Sequence, residues 1–230
     1  MQSIPSVEQV SLPILGQTTR FPVRRVYCVG RNYADHAKEM GHSGREPPFF
    51  FLKPADALFP IPSGETRQWP YPSLTKDLHH EVELVVAIGK GGKDILPEQA
   101  SAHIWGYAIG LDMTRRDLQS VMKKESKPWC IAKGFDQSAP IGPLVPVETT
   151  GFLNAGPIQL QVNGEVRQSG DLQELIWNIP EVISHLSRAW ELKPGDLIFT
   201  GTPSGVGPVM QGDHLIASAQ GVGSMSLTVI

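Results

Sequence analysis

Apolar positions along this chain come in short runs, broken repeatedly by Gly, Pro and polar clusters. That pattern predicts many short strands and few helices. Residues 1–22 are polar and Pro-punctuated, with brief alternation at Val10-Ser11-Leu12, and read as an N-terminal arm or edge segment ahead of a single domain over 23–230. Residues 25–30 read as a strand closed by Gly30; Asn32 then stands as a helix cap, with a short helix over 33–40 and Gly41 as its stop. Further strands are expected over 49–54, 104–111, 129–136 and 197–200, and a hairpin turning at Asn163-Gly164. Helical spacing appears over 114–124 and over 171–190, the latter interrupted at Asn178-Ile179-Pro180. The tail from 213 to 230 returns to short β segments.

One stretch departs from the pattern. In His79-His-Glu-Val-Glu-Leu-Val-Val-Ala-Ile88 two acids sit inside a run that otherwise reads as a buried strand. Side chains two apart on a strand share a face, so Glu81 and Glu83 point one way and Val82, Leu84 and Val86 the other. Two neighbouring anions in a low dielectric must be protonated, paired with cations or bound to a metal ion. An edge strand with a solvated acidic face is the plainer alternative. Asp112, at the end of the 104–111 strand, is either a helix cap or a third carboxylate for a hard cation such as Mg²⁺.

Composition narrows the class. The 230 residues include 20 Pro and 23 Gly with only 19% charged residues, which suits turns and short strands in a chain long enough for a full core. The net charge of -3 and the absence of a basic stripe argue against nucleic acid as a partner. Residues 1–15 have neither the basic start nor the apolar segment of a secretory signal, and no run is long enough to span a membrane. The two cysteines, Cys28 and Cys130, lie in apolar surroundings and fit reduced, buried thiols of a cytoplasmic protein.

Further candidates for chemistry surround the acids in sequence. His36 and Glu39 are three apart on the expected helix, so the carboxylate can hold one imidazole proton and leave the other nitrogen as a base; an exposed His with a Glu neighbour is the plainer reading. Residues 41–48 form a loop that could act as a lid. Lys53 ends an apolar strand and either snorkels to solvent or offers charge to an anion. Arg116 and Gln119 share a helix face, and Lys133 is delivered next to a glycine, where a fixed cation suits a developing negative charge. The loop Gly201-Thr-Pro-Ser-Gly-Val-Gly207 can present backbone N–H groups and the Thr202 hydroxyl to a carboxylate; it lacks the following helix of a nucleotide fingerprint.

The strings Val29-Gly-Arg-Asn-Tyr-Ala-Asp-His36, Phe51-Leu-Lys-Pro54, His79-His-Glu-Val-Glu-Leu84, Leu111-Asp-Met-Thr-Arg-Arg-Asp-Leu-Gln119, Ala132-Lys133 and Phe199-Thr-Gly-Thr-Pro-Ser-Gly-Val-Gly207 resemble the fumarylacetoacetate hydrolase family, in that order and over nearly the whole chain. The resemblance implies an α+β, mainly β fold, a mixed β-sandwich roll or pseudo-barrel with a few short helices, assembled as a homodimer. It implies one Mg²⁺ or Mn²⁺ on Glu81, Glu83 and Asp112, water activation by His36 and Glu39, and Lys133 facing the reacting carbonyl. Arg116 and Gln119 lie nearby, and Thr202 with Gly201 contacts the substrate. The implied activity is hydrolytic carbon–carbon cleavage of a 1,3-diketo acid, with 3-fumarylpyruvate split to fumarate and pyruvate in gentisate-type aromatic degradation as the expected case. Lys53 or Arg45 would then meet the distal carboxylate. Other acylpyruvate hydrolysis, oxaloacetate decarboxylation, 2-hydroxyhepta-2,4-diene-1,7-dioate isomerisation and a non-catalytic metal-binding module are the alternatives.

Overall fold

The computed structural model describes residues 5–33 and 45–230. Its main element is an eight-stranded sheet curled into a half-barrel. Along its path run Phe50–Lys53, Val26–Val29, Leu197–Phe199, Val82–Ile88, Ile104–Leu111, Ala139–Ile141 and Leu58–Pro60, while Val145–Pro146 pairs separately with Ile104–Leu111. A five-stranded sheet, ordered Glu165–Asp171, Pro157–Val162, His214–Ala219, Gly223–Val229 and Thr66–Trp69, packs against it. A small third sheet joins Thr114–Arg115, Leu78–His80 and Gly207–Val209.

The core lies on both faces of the large sheet. Val82, Leu84, Val86 and Ile88 pack with Ile109, Ile198 and the five-stranded sheet, while Val85 and Ala87 pack with Cys28, Leu197 and Phe199 on the other side. Burying one such aliphatic side chain contributes about 1.5–3 kcal/mol, and this two-sided burial explains the nearly continuous apolar run that brackets the acids. Residues of the N-terminal segment cover the second face: Ser11–Pro13 pairs with Arg20–Pro22, and Leu12, Ile14 and Phe21 are buried in that cluster. The Asn163-Gly164 hairpin forms as expected, both residues having positive φ (54° and 82°), the two-residue geometry that matches strand twist.

Four expectations are corrected. Residues 129–136 do not form a strand; Cys130–Lys133 is a single helical turn, with Ile131 exposed, Ala132 and Lys133 buried, and the Gly134 N–H returning to the Cys130 carbonyl at 2.7 Å. A short apolar run carries too few positions for its period to distinguish strand from helix. Cys130 is accordingly exposed, whereas Cys28 is buried and its thiol pKa raised well above the ordinary value, by desolvation first and then by Asp112. The helix expected from 114 begins at Arg116, because Thr114–Arg115 is drawn into the small sheet beside His79 and Leu78. The first helix expected in 171–190 is only a turn at Leu172–Glu174, since Ile176 and Trp177 donate their backbone N–H groups to Asn32; the second, Ile179–Ala189, stands with Asn178 as its cap. Asn32 itself holds the Trp177 and Thr200 carbonyls at 2.9 and 2.8 Å. Of the helix expected over 33–40, Tyr33 instead bridges Leu175, and residues 34–40, with His36 and Glu39, lie outside the described residues, as do residues 41–44 of the possible lid.

Candidate active site

Strand register assembles the acids. Val82 faces Leu111 and Glu83 faces Gly110 across an antiparallel pair, and just beyond it the Asp112 N–H donates to the Glu81 carbonyl at 2.8 Å. Glu81 therefore sits at the break where Leu78–His80 leaves the small sheet and Val82–Ile88 enters the large one. One oxygen from each of Glu81, Glu83 and Asp112 lies within 4.8 Å of the others, and all three residues are buried. The donor set is all carboxylate, which suits a hard divalent ion and not a thiophilic one. Asp112 Oδ1 is fully buried and receives no aligned hydrogen bond, although Lys53 Nζ lies 2.8 Å away. The residues present thus fit a divalent cation.

Three cations balance the three acids. Lys133 Nζ donates to Glu81 Oε2 at 2.7 Å and to Asp112 Oδ2 at 2.6 Å. Arg116 donates to Glu81 Oε1 and, through its other terminal nitrogen, to Gln119 Oε1. Burial alone would raise the Glu81 pKa, but Lys133 and Arg116 outweigh it and hold the group below the ordinary carboxylate range. Burial likewise opposes charge on Lys133, yet Asp112 and Glu81 raise its pKa above 10.5. Glu83 differs: desolvation, then Asp112 and Glu81, push its pKa well above 4.5, and its only hydrogen bond among the described residues comes from the Gly201 N–H at 2.7 Å. Gly201 adopts φ 100°, and a Cβ there would lie 2.7 Å from that of Asn32, so the amide that meets Glu83 requires glycine.

In the metal-free site burial and the neighbouring acids favour a proton on Glu83, which competes with an entering ion. Below the pH at which Glu83 ionises, binding of Mn²⁺ is expected to release a proton, and affinity should climb with pH until Glu83 ionises unaided. Calorimetry in buffers of different ionisation enthalpy measures this directly; heats independent of the buffer would contradict it.

Two donors in this cluster remain unspent. Lys133 has three N–H bonds and uses two. Gln119 gives its carbonyl to Arg116, which leaves its NH₂ with no acceptor among the described residues. Both can meet an oxygen that gains charge during reaction.

The structure separates the remaining sequence candidates. Lys53, only 1% exposed, neither snorkels nor reaches a distal ligand: its ammonium pairs with Asp112 and holds the Met113, Lys133 and Ser138 carbonyls beneath the site. Arg45 is bound to Glu181 and lies over the Trp177 ring, away from the acids' own contacts. Thr202 is buried one residue beyond the amide that meets Glu83.

Gln168, on the strand that follows the Asn163-Gly164 turn, is a site residue that the sequence does not reveal. It is 1% exposed, accepts from the Val82 N–H at 3.0 Å, and donates to the Pro203 carbonyl at 2.8 Å. Those two unambiguous partners fix which end of the amide is oxygen. His80 Nδ1, 2.9 Å from the same oxygen, must then carry a proton, and Thr202 Oγ1, 2.7 Å from the NH₂, must accept. The Thr202 hydroxyl proton is left for a ligand. The only sequence signal was a polar residue alternating into a strand's inward face, too weak among the polar neighbours of 165–169.

Comparison with known proteins agrees with this geometry. Residues 25–230 match the model of the fumarylacetoacetate (FAA) hydrolase C-terminal family. A fumarylpyruvate hydrolase from Pseudomonas aeruginosa, solved with Mn²⁺ and pyruvate, is 55% identical with a TM-score of 0.97, covering 100% of this chain and 99% of that one. The mitochondrial oxaloacetate tautomerase of Mus musculus is 44% identical over 206 residues, 90% of this chain and 91% of that protein. The mitochondrial oxaloacetate decarboxylase of Dictyostelium discoideum is 41% identical over 199 residues, 86% and 90% of the two chains. With the family model covering residues 25–230 and these relatives aligned over most of both chains, this protein belongs to the fumarylacetoacetate hydrolase family.

Proposed function

We propose that the protein is a divalent-metal-dependent hydrolase that cleaves 3-fumarylpyruvate with water to fumarate and pyruvate. The observation carrying this reading is the buried carboxylate triad with Lys133 seated on two of its members, in a chain matched from end to end by a fumarylpyruvate hydrolase that holds Mn²⁺ and pyruvate. With three carboxylates against Lys53, Lys133 and Arg116, the site is neutral when all are ionised. Added dipositive charge then favours an anionic ligand, as a 2-oxo acid is. When bound, Mg²⁺ or Mn²⁺ supplies Lewis acidity to that end of the substrate.

The chain's own groups do the rest. His36, oriented by Glu39, is assigned by family resemblance to take a proton from water as it attacks the carbonyl on the fumaryl side. The free N–H of Lys133 and the NH₂ of Gln119 stabilise the oxyanion that forms. As that oxyanion collapses, the carbon–carbon bond breaks; fumarate departs, and the pyruvate enolate takes up a proton to give pyruvate. Thr202, its hydroxyl proton free, holds a carboxylate oxygen. Homodimeric assembly, a cytoplasmic location and a place in gentisate-type degradation complete the proposal on the strength of the family resemblance.

Loss of diketo-acid absorbance over a panel of acylpyruvates tests this. Fumarylpyruvate should show the highest kcat/KM, activity should vanish with EDTA, and Mg²⁺ or Mn²⁺ should restore it. The oxaloacetate tautomerase and decarboxylase relatives support a second reading on a shorter 2-oxo acid. Oxaloacetate conversion faster than any acylpyruvate cleavage would replace the first reading by the second.

A further inference from the structure

The cations first considered for the distal end of the substrate are committed elsewhere: Lys53 to Asp112 and backbone carbonyls, Arg45 to Glu181. Lys133 and Arg116 are likewise held by the acids. Among the described residues Lys123 and Arg31 have no carboxylate partner, and both lie on an aromatic strip that starts at Lys133. Lys133 Nζ stands 5.2 Å from the Phe51 ring centre; Phe51 lies 5.8 Å from Trp129, and Trp129 meets Phe49 edge-on at 5.5 Å. Lys123 Nζ sits 5.4 Å over the Trp129 ring, and Arg31 Cζ sits 5.1 Å over that of Phe49.

The chemistry of the strip follows from its parts. Ring faces accept a flat, conjugated chain, and a cation held over a ring is fixed in direction without being neutralised. Phe49, Phe51 and Trp129 are all partly exposed, so their edges remain open to a ligand. The Lys123 pKa lies below its ordinary 10.5, lowered by desolvation first and then by the neighbouring charge of Arg116, with Lys133 and Arg31 adding to it; Glu81 opposes them. An anion between the two cations relieves that mutual repulsion.

We infer that Arg31 and Lys123, carried on the Phe49–Trp129–Phe51 aromatic strip, form the subsite that binds the distal carboxylate of an unsaturated dianionic acylpyruvate. The identity of that substrate rests on the function proposed above; the placement of the subsite does not. It makes these two residues determinants of specificity, with no part in the bond-breaking step. A substrate ending in a methyl group meets the same metal, lysine and glutamine but leaves the two cations unused.

Steady-state kinetics of Arg31→Ala, Lys123→Ala and the double variant, each with fumarylpyruvate and with acetylpyruvate, tests the assignment. Each single change should lower kcat/KM for fumarylpyruvate about tenfold, mainly through KM, and the double change about a hundredfold. Acetylpyruvate should respond less than about threefold in every variant. Raising ionic strength should increase KM for fumarylpyruvate alone, since the contact is exposed enough to be screened. Parallel losses on both substrates, or no loss on either, overturn the subsite while leaving the function intact. A wild-type enzyme that cleaves acetylpyruvate as well as fumarylpyruvate overturns both the distal subsite and the choice of substrate. Should a variant misfold, Arg31→Gln and Lys123→Gln keep the stem over the ring and remove only the charge.

Discussion

Lys133→Met should lower turnover by about 10²- to 10³-fold or more, with binding of Mn²⁺ retained or tightened. The ammonium serves two purposes that this substitution separates. It neutralises Glu81 and Asp112 at 2.7 and 2.6 Å, and it offers a third N–H to the reacting oxygen. Methionine has nearly the same shape, so the cavity stays filled while donor and charge disappear. Removing a positive charge from beside three carboxylates increases their attraction for a dication, and so the metal affinity does not fall with the rate. The metal-free variant should be destabilised by about 3–5 kcal/mol, the cost of leaving buried partners uncompensated. Saturating Mn²⁺ should therefore raise its Tm by more than it raises that of the wild type. Turnover within tenfold of wild type would remove Lys133 from the mechanism; collapse of metal affinity together with kcat would reduce it to a structural role.

What the sequence reveals about this site depends on contrast with its surroundings. Glu81 and Glu83 were legible because acids are costly within an apolar run, and Asp112 because it ends another such run. Register then brings the three together by pairing Val82 with Leu111. Lys133 was legible as a candidate although its local structure was misread, since either a strand or a helical turn brings a lysine beside Gly134 to the same neighbourhood. Lys53 was misjudged for a physical reason. A lysine ending a strand normally reaches water, and only the tertiary fold shows Asp112 and three carbonyls converging beneath it. Gln168 had no contrast at all, being one polar residue among several in a strand whose other members face outward. Arg31 and Lys123 were equally silent, because only the fold joins Phe49 and Phe51 to Trp129 in the strip that orients them.

Glu83→Gln should abolish metal-dependent activity while making the metal-free protein more stable. Among the described residues Glu83 alone of the three acids has no cation in contact, and its neighbours Asp112 and Glu81 repel its charge. Glutamine keeps an oxygen for the Gly201 N–H and stays neutral without having to hold a proton. A gain of about 1 kcal/mol would raise Tm by about 2–4 °C in a chain of this size. The pH dependence gives the sign independently. Because the folded pKa of Glu83 lies above the 4.5 of the free group, the native protein holds a proton that the unfolded chain gives up. This contribution is fully present below the unfolded pKa and is lost as pH rises through the folded one. Denaturant titrations in EDTA should therefore show wild type weakening as pH rises above 4.5, in a range where Glu83→Gln weakens less. Asp112→Asn must behave oppositely. It takes from Lys53, 2.8 Å away, its one carboxylate partner among the described residues and from Lys133, 2.6 Å away, one of two, and breaking such a buried pair costs about 3–5 kcal/mol. Equal destabilisation by both substitutions would mean that Glu83 is compensated as fully as Asp112, and the proton expected to leave on metal binding would have no source.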